Sequence, residues 1–235
     1  GRTRNENPEP QNPEPGTSKL RILTPQSFRP LVPWSFGALA ALMVLALSVA
    51  ACGAHAPAAV TPPVEQTIRQ QIAQDAGVPW DAARPLTWAD FRAVAPDGGQ
   101  EGALTGYSLL YGVGGVKTAF EFEVEAVCMP RRSWVKPVVL GDPAERERTL
   151  RHEQTHFDLT EVYARRLRKH LHGLYDPCAD IARVQSSAER LIQGEPSAQR
   201  DYDEDTRHGL DPARQRAWDE DVRGWLVELE SYGSK

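Results

Sequence analysis

The chain has 235 residues, a formal net charge of −5 and a pI near 5.7. Its basic residues are scattered among acidic ones, with no aromatic-basic stripe, which excludes a nucleic-acid binder. The length suits one domain with appendages.

Residues 1–33 begin GRTRNENPEPQNPEPGTS. Such a Pro, Glu, Asn and Gly composition buries too little apolar surface to fold, so a disordered N-terminal extension is expected. The sequence starts without methionine, and these first residues read as a fragment or an over-extended reading frame. Residues 34–52 contain the uncharged run FGALAALMVLALSVA, preceded by Lys19, Arg21 and Arg29. A basic flank before a short apolar run is secretory-signal anatomy. The run falls short of the about 20 residues a membrane-spanning helix needs. It ends VAAC, and a small-residue site closing on Cys52 resembles the lipobox of bacterial lipoproteins, in which the cysteine is lipidated. The competing reading is an ordinary signal or anchor helix with an incidental cysteine. Gly53, with no aspartate beside Cys52, favours the outer membrane by the same resemblance, so the expected location is the bacterial cell envelope, facing the periplasm. Residues 53–63, rich in Ala and Pro, read as a flexible linker, and the folded domain is assigned to 64–235.

Within that domain, Val64, Ile68 and Ile72 stand four apart and Gly77 follows, the pattern of a short amphipathic helix. Thr87 can cap a single turn carrying Trp88 and Phe91. From Tyr107 to Ala126 the apolar residues alternate, which predicts a hairpin with one buried face, its turn at Gly112 to Gly115. SWVKPVVLG can add a further short strand. Asp142-Pro143 is a cap-then-proline helix start, and Leu150, Phe157, Ala164 and Leu171 mark a buried seam of a helix running to about residue 171. A second helix covers about 181–193, with a continuation past Gly194 and Pro196 to about residue 206. The last begins at Asp211-Pro212 and buries Trp218, Val222, Trp225 and Leu229. Two cysteines besides Cys52 in an exported chain, Cys128 and Cys178, are expected to form a disulfide, in preference to two separate buried thiols.

The long helix carries His152-Glu153-Gln154-Thr155-His156, an H-E-x-x-H run. Positions i and i+4 lie about 40° apart, one turn up, so both imidazoles can reach one metal ion. Glu153 can reach water on the open side of that ion and act as general base, and zinc suits this donor chemistry. The competing reading is two histidines with a helix-exposed glutamate. A catalytic zinc needs a third protein ligand. Glu161 points away from both histidines at about 100° per residue. His170 and His172 lie turns further along and read as helix-end cations. His208 falls where a folding-back chain would reach the metal, with a helix C-cap histidine as its other reading. Asp203 and Glu204 are carboxylate alternatives, better placed to orient a ligand histidine. Tyr202 reads as a core tyrosine or as a donor to an oxyanion.

Taken together, LTWADF, SWV, LRHEQTHFDLTEVYARRL and YDEDTRHG…RQRAW resemble the DUF922 family of predicted secreted zinc-dependent proteases, over about residues 86–225. The resemblance implies His152, His156 and His208 as zinc ligands and Glu153 as the catalytic base.

The expected fold is α+β and zincin-like, with a small antiparallel sheet packed on the long HExxH helix and additional C-terminal helices. An edge strand near the metal, from VKTAFEFEVEAV or SWVKPVV, can pair with an extended substrate. The expected function is zinc-dependent hydrolysis of peptide bonds in a peptide or protein substrate, by a protein held at the membrane through its N-terminal lipid. Two rivals are a zinc amidase acting on cell-wall peptides and a lipid-anchored binding or assembly protein that keeps zinc without catalysis.

Overall fold

A computed structural model describes residues 63–116, 119–174 and 176–234. The expected N-terminal extension, the signal segment with Cys52 and the linker up to residue 62 lie outside the described residues. Among those described, no helix is long and apolar enough to cross a membrane.

The architecture is α+β. The hairpin is two ten-residue strands, β3 (Tyr107–Val116) and β4 (Ala119–Cys128), antiparallel with Tyr107 opposite Cys128 and Val116 opposite Ala119. The first strand thus runs straight through Gly112 to Gly114, where the sequence predicts a turn. β1 (Val78–Pro79) adds to the outer edge of β4, giving the order β1-β4-β3. A separate pair joins β2 (Ala103–Leu104) to β5 (Trp134–Val135). Trp134 and Val135 thus supply the expected short strand, and the rest of that segment is a helical turn, α2 (Pro137–Gly141).

Period-two alternation sends Leu109, Tyr111, Val113, Val124, Ala126 and Cys128 to one face of the sheet. There they meet Phe157, Ala164, Leu167 and Leu171 of α3 (Pro143–His172) in the main core. Leu110 and Val127 project from the opposite face and pack on Ile68 of α1 (Val64–Gln74). The start of α3 is fixed by Asp142, whose carboxylate accepts from the amides of Ala144 and Glu145, with Pro143 preset for the first turn. The C-terminal region forms α4 (Ile181–Ile192), α5 (Glu195–Thr206) and α6 (Pro212–Glu228). Tyr202, Val222 and Leu229 join Leu159 and Val162 in a second core on the far side of α3. The long helix is therefore enclosed by the sheet on one side and by α5 and α6 on the other.

The expected Cys128–Cys178 disulfide is not formed. Cys128 is a free, buried thiol with Ser133 Oγ 3.8 Å away, and burial pushes it up to about 11. Cys128 instead packs in the main core, on the sheet face that meets α3.

Candidate metal centre

His152 and His156 sit on the face of α3 turned toward α5 and α6, one turn apart, and both are buried. Their Nε2 atoms lie 3.2 Å from each other. Asp203, from the last turn of α5, places Oδ1 3.1 Å from His152 Nε2 and 3.0 Å from His156 Nε2. The donor atoms of these three residues all fall within 4.8 Å of one another. Donors about 2.0–2.1 Å from a tetrahedral zinc stand about 3.3 Å apart, so the three measured separations fit the triangular face of such a shell.

His208 reaches the rim only. Its Nδ1 is 3.4 Å from Asp203 Oδ1, its side chain is 64% exposed, and it is not among the three converging residues. The expectation placed His208 beside the two imidazoles; the side chain that converges with them is Asp203. The cause is local. Arg207 and His208 both take left-handed backbone, φ 53° and 54°, at the end of α5, and the His208 side chain is left exposed. Thr206 secures the turn, donating to Tyr202 O at 2.8 Å and accepting from the Gly209 amide at 3.2 Å.

Electrostatically the cluster is one strong pair. Burial alone would raise Asp203, but hydrogen bonds with His152 and His156 hold its carboxyl well below the usual range. Burial pulls His156 down, yet the Asp203 contact outweighs it and brings the imidazole up to about 9. A cation seated here would take the place of that proton.

Glu153 is buried on the sheet side. Its Oε2 accepts from the backbone amide of Thr105 at 2.7 Å, in the link between β2 and β3. Its Oε1 has no hydrogen-bond partner among the described residues. Two residues on, the ring of Tyr107 stacks on His156 with centroids 6.4 Å apart. Burial, with the charges of Glu195, Asp203 and Glu153, raises its phenol. Tyr202 is a core residue, as one of its two readings held: fully buried, it donates to His152 O at 3.1 Å.

Sequence reasoning passes over the groups behind the rings. His156 Nδ1 faces Gln199 Oε1 at 2.7 Å, and His152 Nδ1 faces Gln215 Oε1 at 3.2 Å. A signal for them exists. Glu195, Gln199 and Asp203 recur every four residues, as do Gln215 and Asp219, so each set lines one face of its helix. Gln154 and Asp158 have a different task. Gln154 accepts from the Leu86 amide at 2.6 Å, and Asp158 accepts from Gln154 at 2.7 Å and from Trp80 Nε1 at 2.8 Å. They pin the segment before Thr87 to the helix. Glu161, rejected as a ligand, is buried in an ion pair with Arg165 and Arg168. His170 bonds to Ser187 at 2.8 Å, far from the cluster.

The matched segment can now be placed on this geometry. Residues 144–209 match the model of DUF922, a bacterial protein of unknown function. The DUF922 match starts in the first turn of α3 and ends at Gly209, so it holds His152, Glu153, His156, Asp203 and His208. It excludes the strands and Gln215. No curated protein and no solved structure matches the chain.

Proposed function

We propose that this chain is a zinc-dependent hydrolase of peptide bonds, with His152, His156 and Asp203 holding the ion and Glu153 acting as general base. The observation that carries the reading is the convergence of three donors at 3.0, 3.1 and 3.2 Å around one point, two of them from H-E-x-x-H. Two imidazoles and a carboxylate form a donor set typical of catalytic rather than structural zinc. A zinc ion bound there supplies Lewis acidity and an acidified water.

The chain's own residues do the rest. Thr105 N–H holds one oxygen of Glu153, which fixes the carboxylate plane and leaves Oε1 to take a proton from the nucleophilic water. His208, exposed and beside Asp203, lies where it can hydrogen-bond to a bound substrate. Tyr107, against His156, offers a phenol to charge developing on the substrate carbonyl. The zincin-like description of the fold belongs to this proposal, resting on the HExxH helix packed on a small sheet. So does attachment to the bacterial envelope through a lipid on Cys52, which Cys52→Ser should abolish in a labelled-palmitate assay.

The test is hydrolysis of casein-like proteins and of peptidoglycan fragments by the zinc-loaded chain, with Glu153→Gln as control. Cleavage of the first class supports the protease reading, and cleavage of the second alone turns it into a cell-wall amidase. One observation favours a non-catalytic zinc protein: His208 Nδ1 is only 3.4 Å from Asp203 and, swung inward, would close a four-ligand shell. In that case Glu153→Gln leaves function in cells intact.

A further inference from the structure

We propose that Gln199 and Gln215 are positioning residues that lock the tautomers of the two ligand imidazoles, each kept in orientation by a carboxylate four residues away on its own helix. The inference rests on the metal reading above.

A glutamine amide can turn either its oxygen or its NH2 toward a ring nitrogen, and the two choices have opposite consequences. An oxygen on Nδ1 requires the proton at Nδ1 and leaves the Nε2 lone pair for a metal. An NH2 on Nδ1 requires a lone pair there and puts the proton on Nε2, aimed at the metal position. The neighbours of each amide decide between them. Gln199 Nε2 donates to Glu195 Oε1 at 2.8 Å, to His156 O at 3.0 Å and to Thr160 Oγ1 at 3.2 Å. Gln215 Nε2 donates to Asp219 Oδ1 at 2.7 Å, to Tyr202 Oη at 2.7 Å and to Thr155 Oγ1 at 3.4 Å. Carboxylates and backbone carbonyls only accept, so a flipped amide would set acceptor against acceptor in a buried site. Both glutamine oxygens thereby face Nδ1–H groups, at 2.7 and 3.2 Å, and the Gln215 oxygen also has Tyr202 Oη 2.9 Å away.

The two relays run in opposite directions along their helices. Glu195 precedes Gln199 on α5, and Asp219 follows Gln215 on α6. Asp219 is itself held by Thr155 Oγ1 at 2.8 Å and by Arg151. Glu195 accepts from Thr160 Oγ1 at 3.3 Å. The anchors thus return to α3, the helix that carries the histidines. A metal-ligating histidine commonly gives its second N–H to a carboxylate. Here a neutral amide is interposed, which keeps further negative charge away from Asp203 while retaining the direction.

The test uses the 235-residue chain and its variants Gln199→Leu, Gln215→Leu, Gln215→Glu and Glu195→Gln. Zinc affinity is measured by chelator competition, and side-chain 15N spectra report which imidazole nitrogen bears the proton. The leucine variants should bind zinc about tenfold to hundredfold more weakly. Gln215→Glu, made together with Asp219→Asn so that an NH2 still meets the residue 215 side chain, keeps an acceptor on Nδ1 and should stay close to wild type. Glu195→Gln, which conserves size, removes one of the two acceptor-only partners of the Gln199 amide, leaving His156 O, and should weaken zinc binding by less than Gln199→Leu does, even if the leucine variants fail to fold. Leucine variants that fold and bind as wild type does would overturn the proposal. If the wild type takes up no zinc, the metal reading falls by itself, and the metal-free spectra still decide the relay. Taken well above pH 9, on neutral rings, those spectra support it by protons on Nδ1 of both His152 and His156, and an unprotonated Nδ1 on either overturns it.

Discussion

Gly209 lies against the ring of His152: a Cβ at residue 209 would stand 3.0 Å from His152 Cβ and 3.2 Å from Nδ1, and the glycine has a φ of +75°. Backbone and imidazole ring therefore share one space that only glycine leaves open. Gly209→Ala should cost about 1–2 kcal/mol through left-handed strain alone. It should also tilt His152 and weaken zinc binding. Urea unfolding and chelator competition on the same variant check both effects.

Glu153 should be separable from metal binding. Its carboxylate is anchored on the Thr105 amide and is not one of the three converging donors. Glu153→Gln is expected to retain zinc while hydrolysis falls by about 10²–10⁴-fold. Metal content and turnover, measured on one preparation, give the comparison.

On the zinc reading, the pair around Asp203 should make metal uptake depend on pH. With His156 raised to about 9, the metal-free site holds a proton through neutrality that zinc must displace. Apparent affinity should therefore rise as pH increases from 6 to 9. Without metal the sign of stability is the reverse. A histidine raised above its ordinary 6.5 contributes fully below that value, and the contribution is lost as pH rises through about 9. Thermal unfolding of the two forms across this window should diverge.

Glu125 supplies a second pH effect away from the centre. Burial, aided by the charge of Glu123 and opposed by Arg168, pushes its carboxyl up to about 7. Between pH 4.5 and 7 the folded state keeps a proton that the unfolded state has released, so stability falls as pH rises. Glu125→Gln should remove this slope and be the more stable protein at pH 8, as urea unfolding would show.

Glu161 ties the back of the long helix to its surroundings. It accepts from Arg165 Nε at 2.8 Å and from Arg168 Nη1 at 3.0 Å. The two guanidinium groups go on to the carbonyls of Leu226, Val124 and Tyr232. Glu161→Ala strands two buried cations and should cost about 3–5 kcal/mol, read from denaturant midpoints.

Much of this arrangement is legible in the sequence where the signal is local. Asp142-Pro143 and Asp211-Pro212 announce helix starts, and both carboxylates accept from first-turn amides as caps. The seam from Leu150 to Leu171 fixes which face of α3 meets the sheet, and His152 and His156 then lie on another. The hairpin reads from its alternation, but its turn does not, because Gly112 and Gly114 also fit a paired strand whose register is set by the apolar residues between them. The site is half legible. HExxH declares two donors by spacing alone, whereas the third depends on how α5 folds back and on two left-handed residues at its end. Those choices favour Asp203 over His208, and residue type alone points the other way. The glutamines behind the rings are silent because their role exists only once three helices meet. The disulfide expectation rests on export chemistry, which favours pairing in general, whereas Cys128 is packed as a free thiol in the main core.

The most direct test is zinc stoichiometry and affinity of the wild-type chain beside Asp203→Ala and His208→Ala. One zinc per chain, lost with Asp203→Ala and kept with His208→Ala, is the predicted result. Zinc retained without Asp203, or absent from the wild type, would contradict the proposed centre.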